Sequence, residues 1–267
     1  MSHYSTRWEG KLAVVTGASA GIGQATAEIL IKAGARFSAQ RRQVKEMVDN
    51  LKDERGKFYP FVTDMTKEED IIKAFEWCET NVGPVHILVN CAGIIVNTNL
   101  IEGDTALWKK LLDTNVLGLC IATREAFKSM KKHNIDGHIV HMNSCAGHKV
   151  VYFSPKVSLY PASKFAVTAL TETLRQELNL VGSKIKVSSI SPGLVYNDFR
   201  RVANIDLLDG FPGITSEDVA DAVFYVLNTP PHVQVSTLLF NISFQYNIDK
   251  YLFKIHELII KPIGEGF

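Results

Sequence analysis

The chain is predicted to be of the α/β class: a doubly wound parallel sheet with helices on both faces, in a single domain. Three observations carry this. Short apolar runs rich in β-branched residues recur along the chain and alternate with longer segments of helical periodicity, the pattern of strands joined by crossover helices. The first run, Lys11-Leu-Ala-Val-Val15, leads into Thr16-Gly-Ala-Ser-Ala-Gly-Ile-Gly23 and then a helical segment over 24–33, so glycines stand at a strand-to-helix turn. Finally, 267 residues without internal repeats, low-complexity tracts or linkers fit one domain spanning 1–267.

The elements follow in order. After the first helix, Gly34-Ala-Arg36 turns into a second strand at 37–39, and 44–51 is a helix candidate. Lys57-Phe-Tyr-Pro-Phe-Val62 is the third strand. The helix over 67–81 places Ile71, Ile72, Phe75 and Cys78 along one stripe. Val85-His-Ile-Leu-Val89 is the fourth strand, ending in the small residues Asn90-Cys-Ala-Gly93. Residues 108–132 form one long, interrupted helical region. The fifth strand is 138–142, a long helix spans 160–181, and Lys186-Val-Ser-Ser-Ile190 is the sixth strand. Residues 196–215 lack clean periodicity and carry Phe199, Leu207, Leu208 and Phe211, the composition of an apolar lid or of a plain surface loop. An amphipathic helix with Thr215 or Ser216 as N-cap covers 216–227.

Composition excludes several classes. Hydrophobic content of 46%, charged content of 21% and a net charge of +1 are ordinary globular values and point to neither nucleic acid nor an anionic membrane. No apolar run reaches the length of a membrane span, and the first eight residues are polar without a secretory core. Four scattered cysteines without a CxxC pair fit reduced thiols in a cytoplasmic setting. The histidines lack metal-ligand spacing, so no metal site is expected.

Two stretches carry chemistry. At the glycine turn, backbone N–H groups and the helix dipole can receive a pyrophosphate. Past the second strand stand Gln40-Arg41-Arg42, with no acid between residues 34 and 45. An acid there would bind a ribose 2′-hydroxyl, whereas an arginine accommodates a 2′-phosphate, so NADP(H) is favoured over NAD(H). The other reading of Arg41 and Arg42 is a solvated basic turn. The second stretch ends in Tyr160-Pro-Ala-Ser-Lys164. Pro161 suits a helix start, and the i, i+4 spacing stacks Tyr160 and Lys164 on one face. A cation one turn away is expected to lower the phenol's pKa and fit Tyr160 for general acid–base work. Ser144, after the fifth strand, would bring its hydroxyl to the mouth of the same cleft. Asp64 and Met65 end the third strand, where they could hold an adenine, or Asp64 could cap the next helix. Asn115 either ties helix backbone to a neighbour or also holds a water near Lys164.

In this order and spacing, Thr16-Gly-xxx-Gly-Ile-Gly23, Asn90-Cys-Ala-Gly93, Asn115, Ser144, Tyr160-xxx-Lys164 and Pro192-Gly193 resemble the classical type of the short-chain dehydrogenase/reductase family, a Rossmann fold. The resemblance covers 8–234. It implies an NADP(H)-dependent oxidoreductase that interconverts an apolar alcohol, such as an isoprenoid alcohol (farnesol) or a hydroxysteroid, and its ketone or aldehyde. The other class weighed is a non-catalytic NADPH-binding sensor or scaffold on the same fold. The resemblance further implies that Tyr160 moves the proton, Lys164 lowers its pKa and binds the nicotinamide ribose, Ser144 holds the substrate oxygen and Asn115 supports a water relay. It places Gly17, Ser19, Gly21, Ile22 and Gly23 along the pyrophosphate, Arg41 and Arg42 at the 2′-phosphate, and Asp64 and Met65 at the adenine. Asn90 and Gly93 would flank the ribose, and Pro192, Gly193, Val195 and Asn197 the nicotinamide. Cys91 stands where the family usually has Asn, and Asn197 where it usually has Thr. A small apolar substrate is the implied partner, in a homodimer or homotetramer packed through the 160–181 helix.

The C-terminus departs from the family. A family-like segment ending at Gln234 resumes only at Ile255, and 235–254 is rich in Phe, Asn, Ile, Lys, Tyr and Leu. Val235-Ser236 can be encoded by a splice-donor sequence and Lys254 by a codon ending in an acceptor, so 235–254 reads as a retained intron or as a lineage-specific insertion. It offers two rival last strands, 237–242 and 256–261. Only one is expected to pair at the sheet edge, with 256–261 favoured there and the other left with apolar surface exposed.

Overall fold

The structure, a computed structural model, describes residues 6–40, 54–150, 159–197, 199, 213–243 and 252–262. Its strands are β1 (Leu12–Thr16), β2 (Arg36–Gln40), β3 (Lys57–Phe61), β4 (Val85–Asn90), β5 (His138–Met142), β6 (Lys186–Ser191), β7 (Val233–Ser243) and β8 (Leu252–Pro262). They form one sheet in the order β3-β2-β1-β4-β5-β6-β7-β8. The first seven run parallel, and β8 pairs antiparallel with β7. The order reverses between β1 and β4, which opens a crevice at their C-terminal ends.

Helices α1 (Gly21–Lys32) and α6 (Ser216–Leu227) cover one face; α2 (Glu68–Asn81), α4 (Gly118–Lys132) and α5 (Leu159–Leu180) cover the other. The strands alternate into two cores. Ala13, Val15, Ile87, Val89, Val140 and Ile190 face α1 and α6, whereas Leu12, Val14, Leu88, Ile139 and Val187 face α2, α4 and α5. With both faces of β1 and β4 covered, successive positions there meet apolar side chains on either side, and period-2 alternation disappears into continuous apolar runs. Thr215 caps α6 in a reciprocal capping box with Asp218.

The long helical region is broken. Helix α3 (Thr105–Leu112) passes through a π turn (Asp113–Leu117) into α4. The extra residue per turn re-aims the side chain at Asn115, a common device at functional sites. The helix candidate at 44–51 lies outside the described residues.

At the N-terminal ends of the strands, Lys186 is 1% exposed. Its ammonium donates to Thr229 Oγ1 at 2.8 Å, Val233 O at 3.1 Å, Thr229 O at 3.2 Å and Pro230 O at 3.3 Å. Arg7 Nη1 also reaches Thr229 O, at 2.8 Å. This cation gathers the carbonyls where α6 ends and β7 begins.

The expectation for the C-terminus is corrected. Both rival segments enter the sheet: 237–242 lies within β7, where Ser189 to Ser191 of β6 pair with Thr237 to Leu239, and 256–261 lies within β8 at the edge. A hairpin resolves the rivalry, because the second segment can pair with the first instead of displacing it. Val235 and Leu238 are buried in the α1/α6 core, at 0% and 2% exposure.

Candidate active site

The C-terminal ends of β1, β4, β5 and β6 converge with the N-terminus of α5. Strand β1 and β4 are tied by Thr16, whose Oγ1 accepts from Cys91 N (3.1 Å) and Ala92 N (3.0 Å). The glycine turn is shaped by contact. Gly17 has φ +70°, and a Cβ on it would stand 2.7 Å from Ala92 Cα. A Cβ on Gly23 would stand 2.3 Å from Gly17 O. No side chain caps α1, whose N-cap is Ala20. The first-turn N–H groups of a helix entered through such a turn can receive an anion, and this fits a dinucleotide's pyrophosphate. Asn197 reaches the same turn, its Nδ2 3.2 Å from where a Gly21 Cβ would lie.

Ser144 caps a 3₁₀ turn (Cys145–Gly147), its Oγ accepting from Ala146 N at 3.1 Å. It also acts on the Tyr160 phenol, drawing its pKa down. Lys164 donates from Nζ to Met142 O at 2.9 Å and lies 5.7 Å from the centre of the Tyr160 ring. Phe199 packs against that ring, centroids 6.0 Å apart. The expected electrostatics are corrected here. Burial pushes the Tyr160 phenol above its ordinary range; Ser144 pulls it back and Cys145 pushes it further up. Burial also brings Lys164 down to about 8, with Cys91 opposing. Desolvation penalises both charged forms and outweighs the one-turn attraction expected from spacing.

Asn115 is 2% exposed. Its Oδ1 accepts from Ile94 N at 2.8 Å; its Nδ2 donates to Ile94 O at 2.9 Å and Ser163 Oγ at 3.1 Å. Ser163 in turn donates to Tyr160 O at 2.7 Å. The asparagine therefore clamps the loop after β4 and, through Ser163, the first turn of α5. Sequence reading passed over Ser163, although its position between Tyr160 and Lys164 was visible. Gly93 closes the arrangement: a Cβ there would be 3.5 Å from Asn115 Oδ1 and 3.9 Å from Lys164 Nζ.

Other expected residues stand differently. Asn90 turns its amide inward, onto Thr123 of α4 at 2.9 Å, so only its backbone is left to face a ribose. Asp64 is exposed and closes a local turn by accepting from Thr66 N and Oγ1, at 3.0 and 2.7 Å; the N-cap of α2 is Lys67, not Asp64. Met65 is buried against Gly118 of α4. Val195 is buried and bridges to Ile214. Ser19 and Ile22 lie part-exposed in the glycine turn, and Gly193 part-exposed after β6 behind buried Pro192. Arg41 and Arg42 lie outside the described residues.

Residues 11–207 match the family model of the short chain dehydrogenases. The chain belongs to the short-chain dehydrogenase family. Among curated members it is 46% identical to the farnesol dehydrogenase of Aedes aegypti over 267 residues, covering 98% of this chain and 99% of that one. It is 42% identical to dehydrogenase/reductase SDR family member 11 of Mus musculus, covering 87% and 94%. Among solved structures, a closed serine dehydrogenase complexed with NADP+ superposes with a TM-score of 0.76 at 30% identity, covering 85% and 93%. A short-chain type dehydrogenase/reductase from Mycobacterium marinum gives 0.78 at 25%, covering 88% and 95%. This short-chain dehydrogenase is accordingly an oxidoreductase. Among its described residues no helix is long and apolar enough to cross a membrane, and no group of His, Cys, Asp or Glu could hold a metal ion.

Proposed function

We propose that this short-chain dehydrogenase interconverts an apolar alcohol and its ketone or aldehyde with NADP(H), an isoprenoid alcohol such as farnesol being the favoured substrate class. The observation that carries this is the Tyr160 phenol whose pKa Ser144 draws down, with the Lys164 ammonium 5.7 Å from its ring centre. NADPH, when bound, supplies the hydride that reduces the carbonyl carbon. Ser144 donates a hydrogen bond to the carbonyl oxygen and Tyr160 gives that oxygen its proton. Lys164 offsets the negative charge left on the phenolate, which its surroundings otherwise penalise. In oxidation the same proton returns to Tyr160. Gly17, Ser19, Gly21, Ile22 and Gly23 line the pyrophosphate, Lys164 and the Asn90-to-Gly93 backbone meet the ribose, and Pro192, Gly193, Val195 and Asn197 border the nicotinamide. Phe199 against Tyr160 and half-exposed Tyr196 give the substrate side an apolar wall.

Arg41 and Arg42, with no acid nearby, favour the 2′-phosphate. The relative from Aedes aegypti named for farnesol, and the NADP+ held by the serine dehydrogenase, support substrate class and cofactor. Purified protein should oxidise farnesol with NADP+ and reduce apolar aldehydes with NADPH, with kcat/KM at least tenfold lower for NADH. Equal use of both cofactors would remove Arg41 and Arg42 from the scheme, and inactivity across farnesol, apolar ketones and aldehydes would overturn the activity. Leu112, Leu117 and Phe165, 40, 52 and 41% exposed on α3, the π turn and α5, support a homodimer or homotetramer packed on that side, and four scattered cysteines without a CxxC pair support a cytoplasmic setting.

We also propose that 235–254 is translated from an unspliced intron. Joining Gln234 to Ile255 would put 255–262 in the place β7 takes beside β6. Peptide mass spectrometry of the protein from its native source should find a peptide running from Gln234 into Ile255; one covering 241–250 overturns the proposal.

A further inference from the structure

Behind the active site runs a file of buried polar side chains that the proposed reaction does not use. Asn90 donates from Nδ2 to Thr123 Oγ1 at 2.9 Å. Thr123 Oγ1 lies 3.2 Å from His141 Nε2 on β5. His141 Nδ1 lies 2.9 Å from Thr171 Oγ1 on α5. These four residues are 2, 9, 1 and 6% exposed, so the atoms that pair along the file depend on one another; Asn90 Oδ1 is buried without a partner among the described residues.

The donor and acceptor inventory assigns every proton in this file. Thr171 Oγ1 also lies 2.8 Å from Val167 O, a carbonyl that can only accept. A hydroxyl has one proton, so Thr171 spends it there and must accept from His141. Nδ1 of His141 therefore carries hydrogen. Burial holds this imidazole neutral, at a pKa of about 4, so its Nε2 is bare and accepts the proton of Thr123. Thr123 must then accept from Asn90, which fixes the amide with Nδ2 toward the threonine. One neutral tautomer satisfies all four joints in one direction; the Nε2–H tautomer would leave Thr171 facing a bare Nδ1 with its proton already spent on Val167 O.

We propose that His141, as the neutral Nδ1–H tautomer, is a positioning residue of this dehydrogenase: it ties the Asn90-Cys-Ala-Gly93 turn to the helix that carries Tyr160 and Lys164. Both ends of the file bear on the site. Gly93, three residues past Asn90, leaves open the space beside Lys164: a Cβ on it would stand 3.9 Å from Nζ. Thr171 stands two turns along α5 from Lys164. Met142, the next residue after His141, supplies the carbonyl that holds the Lys164 ammonium. Strand end, cation and helix are thereby held at one spacing, the spacing a dinucleotide has to span. The proposal rests on the dinucleotide-binding role given above, and its readouts do not require turnover.

Two measurements test it. Long-range proton–nitrogen NMR on the ligand-free protein should find the His141 proton on Nδ1, in the wild type and in Thr123→Ser. Thr123→Val, which keeps the shape and removes the hydroxyl, should weaken NADPH binding by about tenfold, equivalent to roughly 1.4 kcal/mol. Thr123→Ser, which restores the hydroxyl, should bind within about twofold of wild type. If Thr123→Val proves too unstable to titrate, Thr171→Val breaks the other joint and carries the same expectation. A proton on Nε2 overturns the proposal. So does a valine variant that melts lower but binds NADPH as tightly as wild type, since that is the behaviour of a buried plug. Failure of Tyr160 as the acid would leave both readouts intact and is thus distinguishable.

Discussion

Tyr160→Phe loses at least about a thousandfold in kcat while binding NADPH within about twofold of the wild type. General acid–base groups contribute roughly 10²–10⁴ in rate, and the phenol interacts with Ser144 and has the Lys164 ammonium 5.7 Å from its ring centre. Phenylalanine keeps the ring and its packing on Phe199, so the helix start and the wall of the cleft survive. What disappears is a proton at one position. Burial raises the phenol's pKa, so the protonated form that the reduction draws on predominates at neutral pH. Stopped-flow turnover beside a fluorescence titration of NADPH separates the two effects. Retained turnover removes Tyr160 from the chemistry; loss of NADPH binding in parallel makes its role one of holding the site together.

Lys186→Met destabilises the fold by about 2–4 kcal/mol and leaves kcat unchanged. The ammonium satisfies three backbone carbonyls and the Thr229 hydroxyl at the junction of α6 and β7. A hydrogen bond from a charged donor contributes about 1.5–3 kcal/mol. Thr229 O keeps Arg7, Pro230 O keeps Val233 N and Val233 O keeps the Thr229 hydroxyl, so the loss is of the charge-assisted donor and not of every partner. Methionine offsets part of the loss, because a neutral side chain of similar length avoids burying a charge. Lys186 lies at the opposite end of β6 from Pro192, away from the cleft. Burial and the charge of Arg7 lower its pKa from 10.5 to about 8. Between those values the unfolded chain holds the proton and the folded one does not, so the wild type gains stability with rising pH. The methionine variant has no such proton, and the gap between the two should widen from pH 8 to about 10. Urea denaturation at several pH values measures both; superposable curves for the two proteins would overturn the account.

The sequence alone determined the class of fold and its first six strands, and it singled out the residues to which the proposal gives the chemistry. Those are local matters. A buried strand is a short apolar run, an amphipathic helix repeats every 3.6 residues, and a glycine turn or a Tyr–Lys pair is written in consecutive positions. The predicted strand at 138–142 and helix at 216–227 coincide with β5 and α6 for that reason. Three-dimensional packing decided the rest. It turned the Asn90 amide away from the cleft, because Thr123, 33 positions on, lies beside it. It reversed the expected shift of Tyr160, since desolvation depends on everything that surrounds a group and not on the one cation a turn away. It drew Lys186 into a cage of oxygens at 229–233 and gave His141 partners on two helices. It also placed both C-terminal segments in the sheet, because a strand's partner is chosen by open hydrogen-bonding edges, which no stretch of sequence displays on its own.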